Sequence, residues 1–327
     1  MGSGQSKSHE SFAVTPTQLP YATGIAFAAA LTAKIKAAAA AGAGDVNALR
    51  RQFAYDRLLS RLFTTPDPVT AAGEGDGGCW VLKGGTALLT RVRGARHTLD
   101  IDLLHQSTHD VEAAVSALRA AAQSELGDHF SFTLGPAAPI ATATHATVEG
   151  RQVPVTARCG TTVFAQFKID LVVTDHMSSA PEPMTPQPIV DIPGLAQPSY
   201  QLYPLADHVA DKLTATRLTY GTDHLPSSRV RDLVDLALIA RTQHLDAAAL
   251  STAITAKRLL HELPATDTFT TPASWPAIFG KAAAGTELGD HATYPQALAL
   301  AKQLLDPLLA GTRQHGTWNP ESLSWVD

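Results

Sequence analysis

Residues 163–173 constrain the fold most. Their odd positions, Val163, Ala165, Phe167, Ile169, Leu171 and Val173, are all apolar, while Gln166, Lys168 and Asp170 stand among the even ones. A period of two sends alternate side chains to opposite faces, so this segment predicts a strand with one buried and one polar face. Such a sheet needs cover on its apolar side. Residues 98–104 alternate in the same way: Leu99, Ile101 and Leu103 on one side, Asp100 and Asp102 on the other. Two strands therefore carry three carboxylates on their polar faces. Further β-like runs occupy residues 79–82, 130–134, 140–148 and 152–157.

Around these strands the apolar spacing is helical. Residues 24–44 are alanine-rich, with Lys34 and Lys36 in the middle. Two lysines there rule out a membrane span, and the order of regions in a signal peptide is missing, so a helix ending at Gly42 or Gly44 is expected. Val46, Leu49, Phe53, Leu58, Leu59 and Leu62 mark a helix over residues 45–63, with Asp45 as its N-cap. A loop holding Pro66, Pro68 and the glycine-rich run 73–78 follows. Short helices are expected from residue 84 and over 110–124. Prolines 181, 183, 186, 188, 193 and 198 crowd an extended connector read as a lobe boundary. Beyond it, residues 204–218, 230–241, 246–260 and 294–309 read as helices, with Pro204 in the first turn of its helix. The expected organisation is an N-terminal extension with an alanine-rich helix (1–44), an α/β lobe (45–200) and a helical lobe (201–327). Residues 1–15 receive no functional weight, and no solenoid-type repeat is present.

Composition narrows the classes. The 327 residues are 45% hydrophobic but only 17% charged, because alanine fills the helices. Twenty-five basic and thirty acidic residues give a net charge of −5, which excludes a globally basic coat for nucleic acid but not a local basic patch. Cys79 and Cys159 form no CxxC or zinc pattern, so a reduced, cytoplasmic setting is expected.

The chemistry sits in short motifs. Acids crowded on one sheet face repel unless a cation lies among them, and a hard divalent ion with oxygen ligands is the obvious one. Gly84-Gly85-Thr86 joins a strand to a helix, where small residues and free N–H groups can hold a phosphate. Metal beside a phosphate cradle points to phosphoryl or nucleotidyl transfer. Each motif has a plainer reading. D-x-D can be an exposed face, Gly-Gly a turn, and Asp170 an ion-pair partner of Lys168. The run is not a P-loop. Lys212 borders the stripe Leu205, Val209, Leu213 and Thr216, and either snorkels or serves a site. Arg229, Arg231, Asp232 and Asp235 lie on one amphipathic helix, where an Arg231–Asp235 pair on a solvated face is the plain alternative. His105 and His109 read as a loop or helix-start pair rather than a zinc site. No G-x-S-x-G elbow is present.

Taken in order, these motifs resemble a known family. Leu82-Lys83-Gly84-Gly85-Thr86-Ala87-Leu88, then Arg96-His97-Thr98-Leu99-Asp100-Ile101-Asp102-Leu103, look like the start of the AbiEii/AbiGii-type nucleotidyltransferase toxins, which include the mycobacterial MenT toxins. Lys168-Ile169-Asp170, Asp211-Lys212-Leu213-Thr214-Ala215, residues 229–236 and Trp275-Pro276-Ala277-Ile278-Phe279 continue the likeness from about residue 45 to the C-terminus. The alanine-rich extension and the loop at 66–78 depart from it. The Gly-Gly and D-x-D pieces also recur across the DNA polymerase β-like superfamily.

This resemblance implies an α+β fold: a polymerase β-like nucleotidyltransferase lobe with a mixed sheet, followed by a mainly α-helical C-terminal lobe. It implies that Asp100 and Asp102 hold Mg²⁺ (or Mn²⁺), and that Asp170 completes the metal site or acts as base. Gly84, Gly85, Thr86 and Thr98 would lie near the triphosphate of an NTP, and Lys212 would neutralise it. Arg229, Asp232 and Asp235 would shape the helical wall, with Asp235 counted among the catalytic groups. The implied activity is NMP transfer to an acceptor hydroxyl, foremost a tRNA 3′ end or another RNA, opposed by a cognate antitoxin protein. Arg91, Arg93, Arg96 and His97 could grip RNA phosphates. Two other readings remain: transfer to a small molecule or protein side chain, and a catalytically silent NTP-binding regulatory module.

Overall fold

The computed structural model describes residues 19–68, 79–92, 94–140, 149–173, 177–195 and 197–327. The glycine-rich run 73–78, Arg93 and residues 141–148 of an expected strand lie outside the described residues.

Helix α1 (Gly24–Ala40) starts at Thr23, whose hydroxyl accepts from the N–H of Ala26. Helix α2 (Val46–Thr64) starts at the expected cap, Asp45, whose carboxylate accepts from the N–H groups of Asn47 and Ala48. These side chains satisfy donors that a helix start leaves free. Strand β1 (Trp80–Lys83) runs directly into α3 (Gly84–Arg91), followed by β2 (Asp100–His105) and α4 (Val111–Ala122). The chain continues through β3 (Phe130–Leu134), β4 (Ala138–Pro139), β5 (Gly150–Cys159) and β6 (Thr162–Val173). The proline-rich connector contains β7 (Glu182–Met184) and ends at β8 (Tyr200–Leu202).

These strands form one mixed sheet in the order β3-β5-β6-β2-β1-β8-β7, with β4 beside β5. The β2–β6 and β1–β8 pairs are parallel and the other pairs antiparallel. Because β8 lies against β1, the chain stays in the sheet through Leu202, past the whole proline-rich stretch. The fold is α+β.

Helices α1, α2 and α4 cover one face of the sheet. Phe27, Leu31 and Ile35 of α1 join Phe53, Leu58, Leu118, Ile101, Ile169 and Leu171 in a single core. Each such side chain contributes about 1.5–3 kcal/mol when buried. Two positions break the expected alternation. Leu99 is 61% exposed because β2 begins only at Asp100. Val163 is exposed and Phe164 buried, because the β5–β6 ladder shifts register between Ala157 and Arg158 and turns the start of β6 over.

The second lobe consists of α5 (Leu205–Arg217), α6 (Arg231–Thr242), α7 (Ala247–Leu260), α8 (Trp275–Ala283) and α9 (Tyr294–Leu309). Pro204 is the N-cap of α5, one residue before its first turn. Trp275 and Trp318 are buried, and each indole N–H is spent on a backbone carbonyl, of Ser227 and Ala240 respectively. Leu88 and Val92 of the α3 segment belong to this core, whereas Ala87 belongs to the first. Helix α3 thus sits at the seam of both cores and fixes the sheet against the helices. Among the described residues no helix is long and apolar enough to cross a membrane.

Candidate active site

Between the open face of the sheet and α5 and α6 lies a cleft of about 750 Å³. The parallel register sets Asp102 beside Asp170 and Asp100 beside Lys168. In-register neighbours share a face, and Asp100 lies two residues before Asp102 on that same face. All three carboxylates line the cleft. Burial pushes the Asp102 carboxyl up to about 6, with Asp100 and Asp170 adding to the effect and Lys83 and Arg229 opposing it. Asp170 is also raised, mainly by burial, although Gln152 donates to it at 2.9 Å. The plain Lys168–Asp170 pairing is replaced by a relay: Lys168 donates to Gln152 Oε1 at 2.7 Å, and Gln152 stands between the two.

The start of α3 is shaped around these acids. Gly84 has φ +58°, and a Cβ there would fall 1.8 Å from Asp102 Oδ2. Only glycine meets both demands. A Cβ on Gly85 would press on Thr98 at 3.0 Å. Thr98 donates to Asp100 Oδ1 at 2.7 Å and so orients it. Thr86 does not line the cleft; it is buried and donates to the Asp100 carbonyl, fastening α3 to β2. Three oxygen donors that repel one another, beside a cradle that a side chain would fill, fit a hard divalent cation.

The helical wall carries the opposite charge. Lys212 Nζ donates to Asp235 Oδ2 at 2.6 Å and Asp232 Oδ1 at 3.2 Å. Burial disfavours its charged form, but the two carboxylates outweigh burial and raise its pKa. Arg229 pairs with Asp232 at 2.7 Å, and Arg96 grips Asp235 with two bonds of 3.0 and 3.1 Å. The plain alternative, an Arg231–Asp235 pair on a solvated face, is not what forms: Asp235 is fully buried with Lys212 and Arg96, while Arg231 faces the cleft. Asp232, Lys212 and Arg229 line the cleft, and Asp235 sits behind them. Of the four residues suggested for RNA phosphates, Arg96 alone among the described ones lines it. Arg91 is consumed by Glu182 and the Tyr203 carbonyl, and burial lowers the pKa of His97.

Sequence reasoning missed one wall. Lys83 lies 4.1 Å from the Tyr203 ring centroid and 3.6 Å from Asp211 Oδ2, and Asp211 also holds Lys257 at 2.8 Å. Lys83, Tyr203, His208 and Asp211 all line the cleft. The available signals were Lys83 directly before Gly84-Gly85, and His208 one helical turn before Lys212.

A second cluster was also missed. His105 is the last residue of β2, fully buried on the helix-covered face, rather than part of a loop pair with His109. Its Nε2 lies 2.8 Å from Asp67 Oδ2, and Cys79 Sγ approaches the same oxygen at 2.5 Å. The three donor atoms lie within 4.8 Å of one another, a set suited to a softer ion than the cleft acids would take. Burial, together with Asp67, pushes the Cys79 thiol up to about 12. Histidine spacing could not reveal the cluster, because its partners are 38 and 26 residues away in sequence.

Paired acids on a sheet, a glycine-started helix and a basic helical wall are the equipment of a nucleotidyltransferase, and comparison with known proteins agrees. The family model described as "Nucleotidyl transferase AbiEii toxin, Type IV TA system" matches residues 71–307. The chain belongs to this family and is a nucleotidyltransferase of the toxin–antitoxin type. Among solved structures it is similar to MenT4, a nucleotidyltransferase toxin from Mycobacterium tuberculosis H37Rv, at 18% identity and TM-score 0.42, over 81% of this chain and 86% of that one. It is also similar to JHP933 from Helicobacter pylori, at 13% identity and TM-score 0.40, over 80% and 93%. No curated protein sequence matches it.

Proposed function

We propose that this protein transfers NMP from an NTP to a hydroxyl at an RNA end, foremost the tRNA 3′ end, and releases pyrophosphate. The observation that carries this reading is the register of Asp102 against Asp170, with Asp100 on the same face and Lys212 across the cleft. Asp100, Asp102 and Asp170 would hold Mg²⁺ or Mn²⁺. When bound, the ion neutralises the crowded acids and stabilises charge on the reacting phosphate. Thr98 keeps Asp100 turned toward the cleft, and Gly84 leaves room for Asp102. The N–H groups at the start of α3 receive phosphate oxygens. Lys212, held by Asp232 and Asp235, places fixed positive charge opposite the acids. The acceptor oxygen forms a bond to the α-phosphorus as the bond to pyrophosphate breaks. Asp170 stands beside Asp102 and either completes the metal site or, free of the ion, takes the hydroxyl proton.

Arg96, Arg229 and Arg231 offer a local basic edge for an RNA backbone despite the net charge of −5. In this reading the toxin acts in the cytoplasm and is countered by an antitoxin partner. The test is incubation with each labelled NTP, Mg²⁺ and total RNA, for the native protein and for Asp102→Ala and Lys212→Ala, with melting curves to verify folding. Label on RNA with the native protein alone is expected. Label on protein or a small molecule would move the acceptor to that class. NTP binding without transfer would favour a silent regulatory module.

A further inference from the structure

His208 is the polar group of the cleft that the scheme above leaves unused. It lies on α5, lines the cleft and is 3% exposed. Neither ring nitrogen has a hydrogen-bond partner among the described residues. An imidazole always carries at least one N–H, and a buried donor left unpaired is costly. Its neighbours on the helix are all engaged. Asp207 accepts from the Ser178 N–H and hydroxyl, Asp211 holds Lys83 and Lys257, and Lys212 holds Asp232 and Asp235. A buried donor without a partner, at the cleft wall on a helix face where the other polar groups are satisfied, suits a ligand from the cleft.

The sheet order gives the cleft a direction. Asp170 lies on β6, Asp100 and Asp102 on β2, and Lys83 with Gly84 at the end of β1. At the β6 end the lining is Asp170 with the apolar Ile140 and Val172, a poor place for a polyanion. At the β1 end Lys83 and the start of α3 favour one, and His208 is tied to that end through Asp211, which lies three residues further along α5 and pairs with Lys83. Burial, reinforced by the charge of Lys212, keeps His208 neutral, so it offers a donor without a charge of its own to desolvate.

We propose that His208 binds the terminal phosphates of the nucleoside triphosphate, and the pyrophosphate that leaves, by donating its ring N–H to a phosphate oxygen at the Lys83 end of the cleft. The assignment rests on the nucleotidyl-transfer reading and fixes which way the triphosphate lies.

Calorimetric titration of the full chain with tripolyphosphate alone tests it, for the native protein, His208→Leu and His208→Gln. One lost hydrogen bond to an anion predicts about tenfold weaker binding for the leucine variant, with the glutamine amide recovering part of it. The leucine variant should melt at or above the native temperature without ligand, because it removes an unpaired buried donor. If it melts well below, the comparison of native with glutamine decides. Relative preference among the four NTPs should be the same in all three proteins. Equal tripolyphosphate affinity in all three, or no binding by the native protein, overturns the proposal. So does a changed NTP preference with tripolyphosphate binding intact, which would place His208 at the base. His208-dependent tripolyphosphate binding in a native protein that labels no acceptor supports the assignment and overturns the transfer reading instead.

Discussion

Arg61 and Asp128, between α2 and β3, are each 1% exposed, and every donor of the guanidinium is used: two bonds to Asp128, and one each to the carbonyls of Ser124, Arg57 and Phe130. On the open face of the same sheet, Asp102 and Asp170 stand side by side with Asp100 next to them and their carboxyls pushed upward. The first group is closed: its charges cancel and its hydrogen bonds are complete, so nothing further can bind. The second is open, and its excess negative charge is a standing demand for a cation. Buried charge that is satisfied marks architecture, whereas buried charge left in surplus marks a site.

The largest effect should come from reducing that surplus. Asp102→Asn is expected to lower nucleotidyl transfer by about 10³-fold or more, roughly 4 kcal/mol, because the amide no longer supplies an anionic metal ligand. Its melting temperature should equal or exceed that of the native protein, because repulsion on the sheet face falls. A variant that melts lower would mean that Asp102 is architectural, and the contrast would collapse. Next in size is Arg61→Ala, which strands Asp128 without its partner and should cost about 3–5 kcal/mol in denaturant unfolding. Pairing Arg61→Met with Asp128→Leu should recover much of that loss, because the pair itself contributes little beyond mutual satisfaction. No recovery would mean that the bonds to Ser124, Arg57 and Phe130 matter more than the ion pair.

Gly84→Ala tests the open site from its backbone. The added Cβ meets Asp102 Oδ2 at 1.8 Å and is held at positive φ, so a loss of about 1–3 kcal/mol in stability is expected, together with loss of transfer. Activity preserved in this variant would show that the α3 start is not shaped around Asp102.

How far each region could be read in advance follows the same division. Asp100, Asp102 and Asp170 were legible because a strand's period of two is local information, and Asp45 was legible as a cap for the same reason. The side-by-side placing of Asp102 and Asp170 was not, because register between strands 68 residues apart is set by the whole sheet. Helix spacing suggested Arg231 for Asp235. The structure gives Asp235 to Lys212 and Arg96 instead, from elements that only tertiary packing brings near. Lys83, His208 and the Asp67–Cys79–His105 cluster escaped notice for that reason. Each consists of isolated residues whose meaning comes from non-local neighbours. The prolines mark the stretch 181–198 as extended without naming its partner, and within it β7 forms an edge strand of the sheet, where Pro183 is tolerated.

Asp56 offers the finest test, because it sits on the closed side and departs from its rule. It is buried in α2, and its carboxyl is pushed up to about 7, mainly by burial, with the charge of Arg57 pulling the other way. In the unfolded chain the same group titrates near ~3.9. A raised carboxyl pKa means that the native state holds the proton more tightly than the unfolded state between these values. Stability should therefore fall as pH rises from about 4 to about 7, and the full penalty should remain above that. Asp56→Asn removes the titration. The variant and native protein should unfold alike near pH ~4, and the variant should be the more stable by about 4 kcal/mol at most at pH ~8. The native protein should lose that difference progressively across the window in pH-dependent denaturant melts. Transfer activity should be unchanged, because Asp56 lies beneath the sheet and does not line the cleft. A variant less stable at pH ~8 would show that Arg57 satisfies Asp56 as fully as Arg61 satisfies Asp128, and the closed side would then be closed throughout.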